Sequence, residues 1–285
     1  MKRFLLIIPA AALAGYVAIL GLLYVYQRDL MYPRNPARAE VAGVNLPGLE
    51  ETTLTTSDGE RLVAWIVPPR EGKPVLLFFH GNAGNFGRAI RQARFRALTE
   101  DGTGLFAVNY RGYGGSTGSP TEEGLLLDAR AAYAAAAARF GPERLIGYGE
   151  SLGTGVVLKL AAEQKLPAVI LEAPYLSTAS VAQLVYPFVP IAMLMKDQFR
   201  SDEVIGKVHS PLLVLHGERD SVIPFAQGQA LYEMANPPKR FIRFPEGDHE
   251  NLPAHGSVPE IRRFLADVAA VRVSAQESRI VSQQP

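Results

Sequence analysis

Residues 4–26 form a run of 23 without a charged side chain, bounded by Met1-Lys2-Arg3 and by Gln27-Arg28-Asp29. As a helix rising 1.5 Å per residue, the run covers about 35 Å, enough for a hydrocarbon core of about 30 Å. Periodicity then lapses through a proline-bearing connector, residues 31–50. Next, runs 51–56 and 61–67 flank Ser57-Asp58-Gly59-Glu60, and Asp-Gly between two strand-like runs predicts an antiparallel hairpin. From residue 75 short, continuously apolar runs alternate with longer amphipathic ones: 75–79 and 90–98, 105–110 and 125–140, 145–149 and 152–165. Further apolar runs follow at 168–171, 212–216 and 241–244. Continuous apolar runs are expected of strands covered by helices on both faces. The pattern therefore predicts an α/β domain over 51–270, built on an eight-stranded, mostly parallel sheet.

Two stretches break the alternation. An insertion at 175–210 is rich in apolar residues and predicts a short helical lid, while 271–285 is polar and predicts a frayed tail. In the alanine-rich run 131–138, Leu126, Ala129, Tyr133 and Ala137 fit one face of a close-packed helix. No internal repeat is visible, so one domain follows the anchor.

Composition narrows the chemistry by exclusion. The 285 residues are 48% hydrophobic with a formal net charge of +1, which supports a large core and gives no basic footprint for nucleic acid. There is no cysteine, hence no disulfide, thiolate nucleophile or cysteine metal site. None of the five histidines pairs at i, i+4, so no metal site is expected. In the N-terminal segment, Ala12-Leu13-Ala14 has the small-x-small form of a signal-peptidase site. Cleavage there would leave a dozen apolar residues exposed, which favours an uncleaved anchor over residues 1–30. Its orientation is open, because Lys2 and Arg3 are balanced by Arg28, Arg34 and Arg38 beyond the run. Oligomeric state is likewise open.

The pattern Gly-x-Ser-x-Gly occurs twice, at Gly149-Glu150-Ser151-Leu152-Gly153 and at Gly114-Gly115-Ser116-Thr117-Gly118. Ser116 lies six residues past run 105–110 in a glycine-rich loop, and Ser119-Pro120-Thr121-Glu122-Glu123 reads as the cap of the next helix. Ser151 instead joins an apolar strand directly to a helix. That is the context of a nucleophile elbow, in which the serine sits on a strained turn and the next N–H, that of Leu152, faces a developing oxyanion. A serine hydroxyl needs a base and an orienting carboxylate. Asp220, in Gly217-Glu218-Arg219-Asp220, follows run 212–216; His249, in Gly247-Asp248-His249-Glu250, follows run 241–244. All three residues follow the C-terminal ends of strands, the edge where open α/β sheets bind ligands.

The order Ser151, Asp220, His249, together with His80-Gly81-Asn82-Ala83-Gly84 after the third strand and Asn109-Tyr110-Arg111-Gly112-Tyr113-Gly114-Gly115-Ser116 after the fourth, resembles the α/β-hydrolases. The match covers about residues 52–264. With Gln27-Arg28-Asp29-Leu30-Met31-Tyr32-Pro33 after the apolar run, the chain is most similar to the Bem46-like subgroup, which is similar to depalmitoylating hydrolases and, more distantly, to the serine aminopeptidase and monoglyceride lipase group. The resemblance implies Ser151 as nucleophile, His249 as base and Asp220 as its orienting acid. It also implies backbone N–H groups of Leu152 and Asn82 as the oxyanion hole. Glu172, at a strand end, is a rival for the acid.

Tyr113, Tyr175, Tyr186, Phe188 and Met193 are candidates for a pocket suited to an acyl chain, with Met195 beside them. Arg88, Arg91, Arg94 and Arg96 predict either a solvated helix face or a surface for lipid headgroups or an acidic substrate. His80 reads as a structural residue of the oxyanion loop, and Asp248 and Glu250 as solvent-facing or turn-capping. The expected activity is membrane-anchored cleavage of an ester or thioester, acting without a cofactor on a small-molecule or acylated substrate. An aminopeptidase-like amidase and a silent, tethered scaffold are the alternatives.

Overall fold

β3 (Val75–Phe79), β5 (Leu145–Glu150), β6 (Ala168–Glu172) and β7 (Leu212–Gly217) are buried along their whole length, as continuous apolar runs require. The computed structural model describes residues 2–282, and side chains for 8–272 and 274. In it these strands are the middle of an eight-stranded sheet ordered β1-β2-β4-β3-β5-β6-β7-β8, with β1 (Glu50–Thr55), β2 (Arg61–Val67), β4 (Gly104–Val108) and β8 (Lys239–Phe244) completing it. The expected hairpin pairs β1 with β2 antiparallel; β2 also meets β4 antiparallel, and the other pairs are parallel.

The two-residue period of each strand sorts its side chains into two cores. Leu77 and Phe79 face α3 (Glu122–Phe140) and α4 (Leu152–Glu163), whereas Leu76 and Phe78 face α2 (Ala89–Thr99) and α9 (Ser257–Ser282). α8 (Phe225–Met234) covers β7 and β8 and adds Leu231 to the core shared by α3 and α4. α3 begins where expected, with the Thr121 hydroxyl accepting from Gly124 N–H at 2.9 Å. Its buried stripe is Leu125, Ala129, Ala132 and Ala136, about one residue's turn away from the expected 126/129/133/137 face. The cause is Asp128, drawn into the core by the Arg111 guanidinium and N–H. The polar segment from 271 continues α9 as helix to Ser282.

Register fixes the site. Gly149 of β5 lies opposite Phe79 of β3 and Leu171 of β6, so these strands end together at one edge of the sheet. Over that edge lies the 175–210 insertion, holding α5 (Thr178–Val185), α6 (Ile191–Leu194) and α7 (Ser201–Val204). α1 (Lys2–Met31) contains an apolar stretch, Ile8–Met31, of mean hydropathy 2.0, with no buried residue in its most apolar window. Its C-terminal end leads into Tyr32, which is packed in the core.

Candidate active site

The turn from β5 to α4 is tight enough to specify its residues. Ser151 holds φ 53° and ψ −118°, a region that costs an L-residue about 1–3 kcal/mol and persists only where the surroundings enforce it. A Cβ at Gly149 would come within 2.4 Å of Gly153 O, and one at Gly153 within 2.0 Å of Phe79 O. The two glycines thus let β3, β5 and α4 close around the serine. The Ser151 N–H donates to Glu172 O at 2.9 Å, fixing the turn to β6.

Ser151 Oγ lies 3.0 Å from His249 Nε2, and His249 Nδ1 lies 2.9 Å from Asp220 Oδ2. Since a carboxylate only accepts, the Nδ1 proton points to Asp220 and Nε2 is left to accept from the serine. Three more groups hold Asp220: the N–H groups of Val222 and Ile223 donate to Oδ1 at 2.9 and 2.7 Å, and His216 Nε2 stands 3.3 Å from Oδ2. Burial works against the Asp220 charge, but the bonds from His216, His249 and Ile223 outweigh it and hold the carboxyl well below its usual range. For His249, burial disfavours the charged ring, yet the Asp220 bond and charge, with Glu150 and Glu250, leave its pKa above the usual 6.5.

Ser116 differs in every respect. Its hydroxyl donates to Asn109 O and accepts from Val63 N–H, both at 2.9 Å, so it joins a loop to β2 inside the protein. His80 is buried, with Nδ1 2.6 Å from Gly81 O. Burial and then the Arg91 charge lower it to about 3, and it is neutral at physiological pH. Asn82 beside it is clamped from two sides: Tyr113 Oη donates to its carbonyl at 2.8 Å, and its own Nδ2 donates to Met31 O at 3.0 Å. Leu152 opens α4, where the first N–H groups have no intrahelical partner.

Of the four arginines Arg88, Arg91, Arg94 and Arg96, the middle two meet neither expectation drawn from the sequence, while Arg88 and Arg96 are partly exposed. Arg91 and Arg94 are buried. Arg94 Nη1 stands 2.7 Å from Glu172 Oε1, and Glu150 lies 3.7 Å from Arg91 and 4.0 Å from Arg94. Tyr148 Oη also donates to Glu172. Glu172 is therefore the partner of a buried cation, away from His249. Burial alone would raise the Glu150 carboxyl, but Arg94 and then Arg91 pull it down to about 2. α2 reaches the histidine loop as well, because Arg88 makes a two-pronged pair with Glu250 at 2.6 and 2.8 Å and Arg94 donates to Glu250 O at 3.2 Å. Asp248 accepts from the N–H groups of Ser221 and His249.

A cavity of about 330 Å³, mostly apolar, opens over Ser151 and Leu152. Tyr175 and Tyr186 line it, as does Met195, but three expected residues do not. Tyr113 is buried behind Asn82, and Phe188 and Met193 turn outward, each 86% exposed. The far wall comes from α1, expected only as an anchor: Leu23, Tyr24, Gln27, Leu30 and Met31. Residues 23, 27 and 30 share one helical face, but Leu23 stands in an apolar run whose faces have no contrast, and Gln27 and Leu30 lie beyond that run. His216, near the end of β7, meets Asp220 four residues further on, a pairing that no sequence motif marks. Among the described residues no group of three or more His, Cys, Asp or Glu is arranged to hold a metal ion.

A model of the α/β-hydrolase fold family matches residues 74–202. The chain is 34% identical over 273 residues to an uncharacterized protein of Mycobacterium tuberculosis, covering 93% of this chain and 96% of that one. Over 276 residues it is 32% identical to protein bem46 of Schizosaccharomyces pombe, covering 90% and 91% of the two chains. Among solved structures, an esterase of Pyrococcus furiosus, Pf2001, superposes with TM-score 0.68 over 83% of this chain and 96% of its own, at 16% identity.

Proposed function

The chain belongs to the α/β-hydrolase family and, within it, to the Bem46-like group, and from that premise we propose that it is a serine hydrolase cleaving an ester or thioester with an apolar acyl chain. The observation that carries this reading is the unbroken run Ser151 Oγ, His249 Nε2, His249 Nδ1, Asp220 Oδ2 at 3.0 and 2.9 Å, with Ser151 lining an apolar cavity. As the Ser151 oxygen attacks the acyl carbon, its proton passes to His249 Nε2, and Asp220 stabilises the imidazolium that results. The N–H groups of Leu152 and Asn82 receive the oxyanion. Collapse breaks the bond to the alcohol or thiol, which leaves with the proton from His249. A water then attacks the acyl-serine, giving a proton to the same nitrogen; the bond to Ser151 Oγ breaks, His249 returns the proton to that oxygen, and a carboxylic acid departs.

The substrate class follows from the cavity and from α1. A volume of about 330 Å³ falls in the range of small-molecule sites, about 300–1,000 Å³, and its apolar walls favour hydrocarbon over a charged amino terminus. As a span, Ile8–Met31 reaches about 36 Å at 1.5 Å per residue, and it would hold the site at a bilayer surface. The test is a panel on the purified full chain: p-nitrophenyl esters of rising chain length, an acyl thioester, and an aminoacyl anilide. Esters or thioesters should lead and activity should rise with chain length; preference for the anilide would make the protein an amidase instead.

The electrostatics add a pH signature. His249 accepts a proton only when neutral, and its pKa is raised, so kcat/KM should climb with pH along an acid limb whose midpoint lies above 6.5. Glu250 is one of the charges that raises it. Glu250→Gln should therefore shift that midpoint to lower pH, and an unchanged or higher midpoint would count against His249 as the base.

A further inference from the structure

α1 does more than lie beside the domain. It touches the lid along some four turns: Tyr16 Oη donates to Phe188 O at 2.7 Å, Gln27 Nε2 to Leu194 O at 3.2 Å, and Lys196 N–H to Gln27 Oε1 at 2.7 Å. Arg28 closes the seam with a two-pronged pair to Asp197 at 2.8 and 3.1 Å. These side-chain bonds satisfy lid carbonyls that leave irregular backbone, as a segment shielded from water must. Tyr16 lies 15 residues before Met31, about 22 Å along the axis. The lid tip therefore stands within the apolar stretch, past its middle as counted from Met31, and there Phe188 and Met193 present bare apolar side chains outward.

Between this seam and Ser151 lies the cavity, one wall of which is α1 through Leu23, Gln27, Leu30 and Met31. Resting on the hydrolase reading above, we propose that α1 is a specificity-determining wall of the acyl site, so that the enzyme selects a long acyl chain held in the bilayer. That chain reaches Ser151 along the seam between α1 and the lid, with its carbonyl at the end of α1 where Met31 O is bonded to Asn82. The anchor and the acyl pocket are on this account one device: the helix that fixes the depth of the domain also measures the chain.

The test uses the full chain in lipid nanodiscs. Leu23→Trp fills the cavity from α1. Leu22→Trp, on a residue 59% exposed that does not line the cavity, is the control. Kinetics of p-nitrophenyl palmitate and butyrate are compared, with fluorophosphonate labelling of Ser151 run alongside. Leu23→Trp should lower kcat/KM for palmitate about tenfold more than for butyrate, in line with the discrimination an apolar pocket attains, while Leu22→Trp leaves both unchanged. Leu30→Trp, from the same wall, should repeat the pattern if Leu23→Trp fails to fold. Equal effects on both esters, or the same effect from Leu22→Trp, would overturn the proposal with the hydrolase reading intact. An unmodified chain that is neither labelled nor active would overturn that reading and this proposal with it.

Discussion

Ser151→Ala will abolish ester turnover, with a loss of about six orders of magnitude in kcat, because nucleophile and base act as a unit and removing either costs nearly as much as removing all. The fold should survive, since the Ser151 hydroxyl is bonded only toward His249 while the strained turn is held by its N–H on Glu172 O and by the close approach of the two glycines. Asp220→Asn should cost about 10⁴ in kcat through the wrong histidine tautomer. Here a further difficulty compounds it. Val222 N–H, Ile223 N–H, His216 Nε2 and His249 Nδ1 all present hydrogens or ring nitrogens to that carboxylate, and an amide cannot accept from four directions. Steady-state kinetics beside a thermal melt separate the two effects: Ser151→Ala should keep the melting temperature, whereas Asp220→Asn should lower it.

Arg94→Met is expected to destabilise the protein by about 3–5 kcal/mol, the usual result of removing one member of a buried ionic cluster. Two carboxylates, Glu150 and Glu172, would lose their shared cation in a region where each is nearly sealed from water. The pH dependence gives the sign. In the native protein Glu150 is held at about 2, below its ordinary 4.5, so its ionised form adds stability above about pH 4.5 that is lost as pH falls toward 2. Without Arg94 that contribution shrinks to what Arg91 still supplies, and burial favours the protonated acid. The gap between native and variant chains should be widest at neutral pH and should narrow in acid, as read from denaturant midpoints. Arg94→Met combined with Glu172→Gln should recover part of the loss; a variant as stable as the native chain at pH 7 would contradict the role assigned to the cluster.

What was legible in the sequence was what is local. The strand, elbow and helix around Ser151 are contiguous, and strand ends that carry Asp220 and His249 follow from short apolar runs, so the residues that meet at 3 Å could be chosen before any coordinates. The hairpin was equally plain, because Asp58-Gly59 encodes it in two residues. Illegible were pairings that cross the sheet. Four arginines within nine residues of a helix read as a wet surface; that Arg91 and Arg94 are instead sealed against Glu150 and Glu172 depends on β5 and β6 ending beside α2, which no spacing reveals. Burial of Asp128 rotated α3 for the same reason. The cavity was half seen. Tyr175 and Tyr186 were identified as lining residues, but lid apolarity could not separate Met195, turned inward, from Phe188 and Met193, turned outward, and an apolar N-terminal run gave no hint that it would wall the site.

The most direct measurement is chemical. The full chain, purified in detergent, is treated with a fluorophosphonate and digested, and the modified peptide is identified by mass spectrometry. A single adduct is expected on Ser151, formed faster as pH rises through the His249 limb and absent from Ser151→Ala. Failure to label, an adduct on Ser116, or labelling that persists in Ser151→Ala would contradict it.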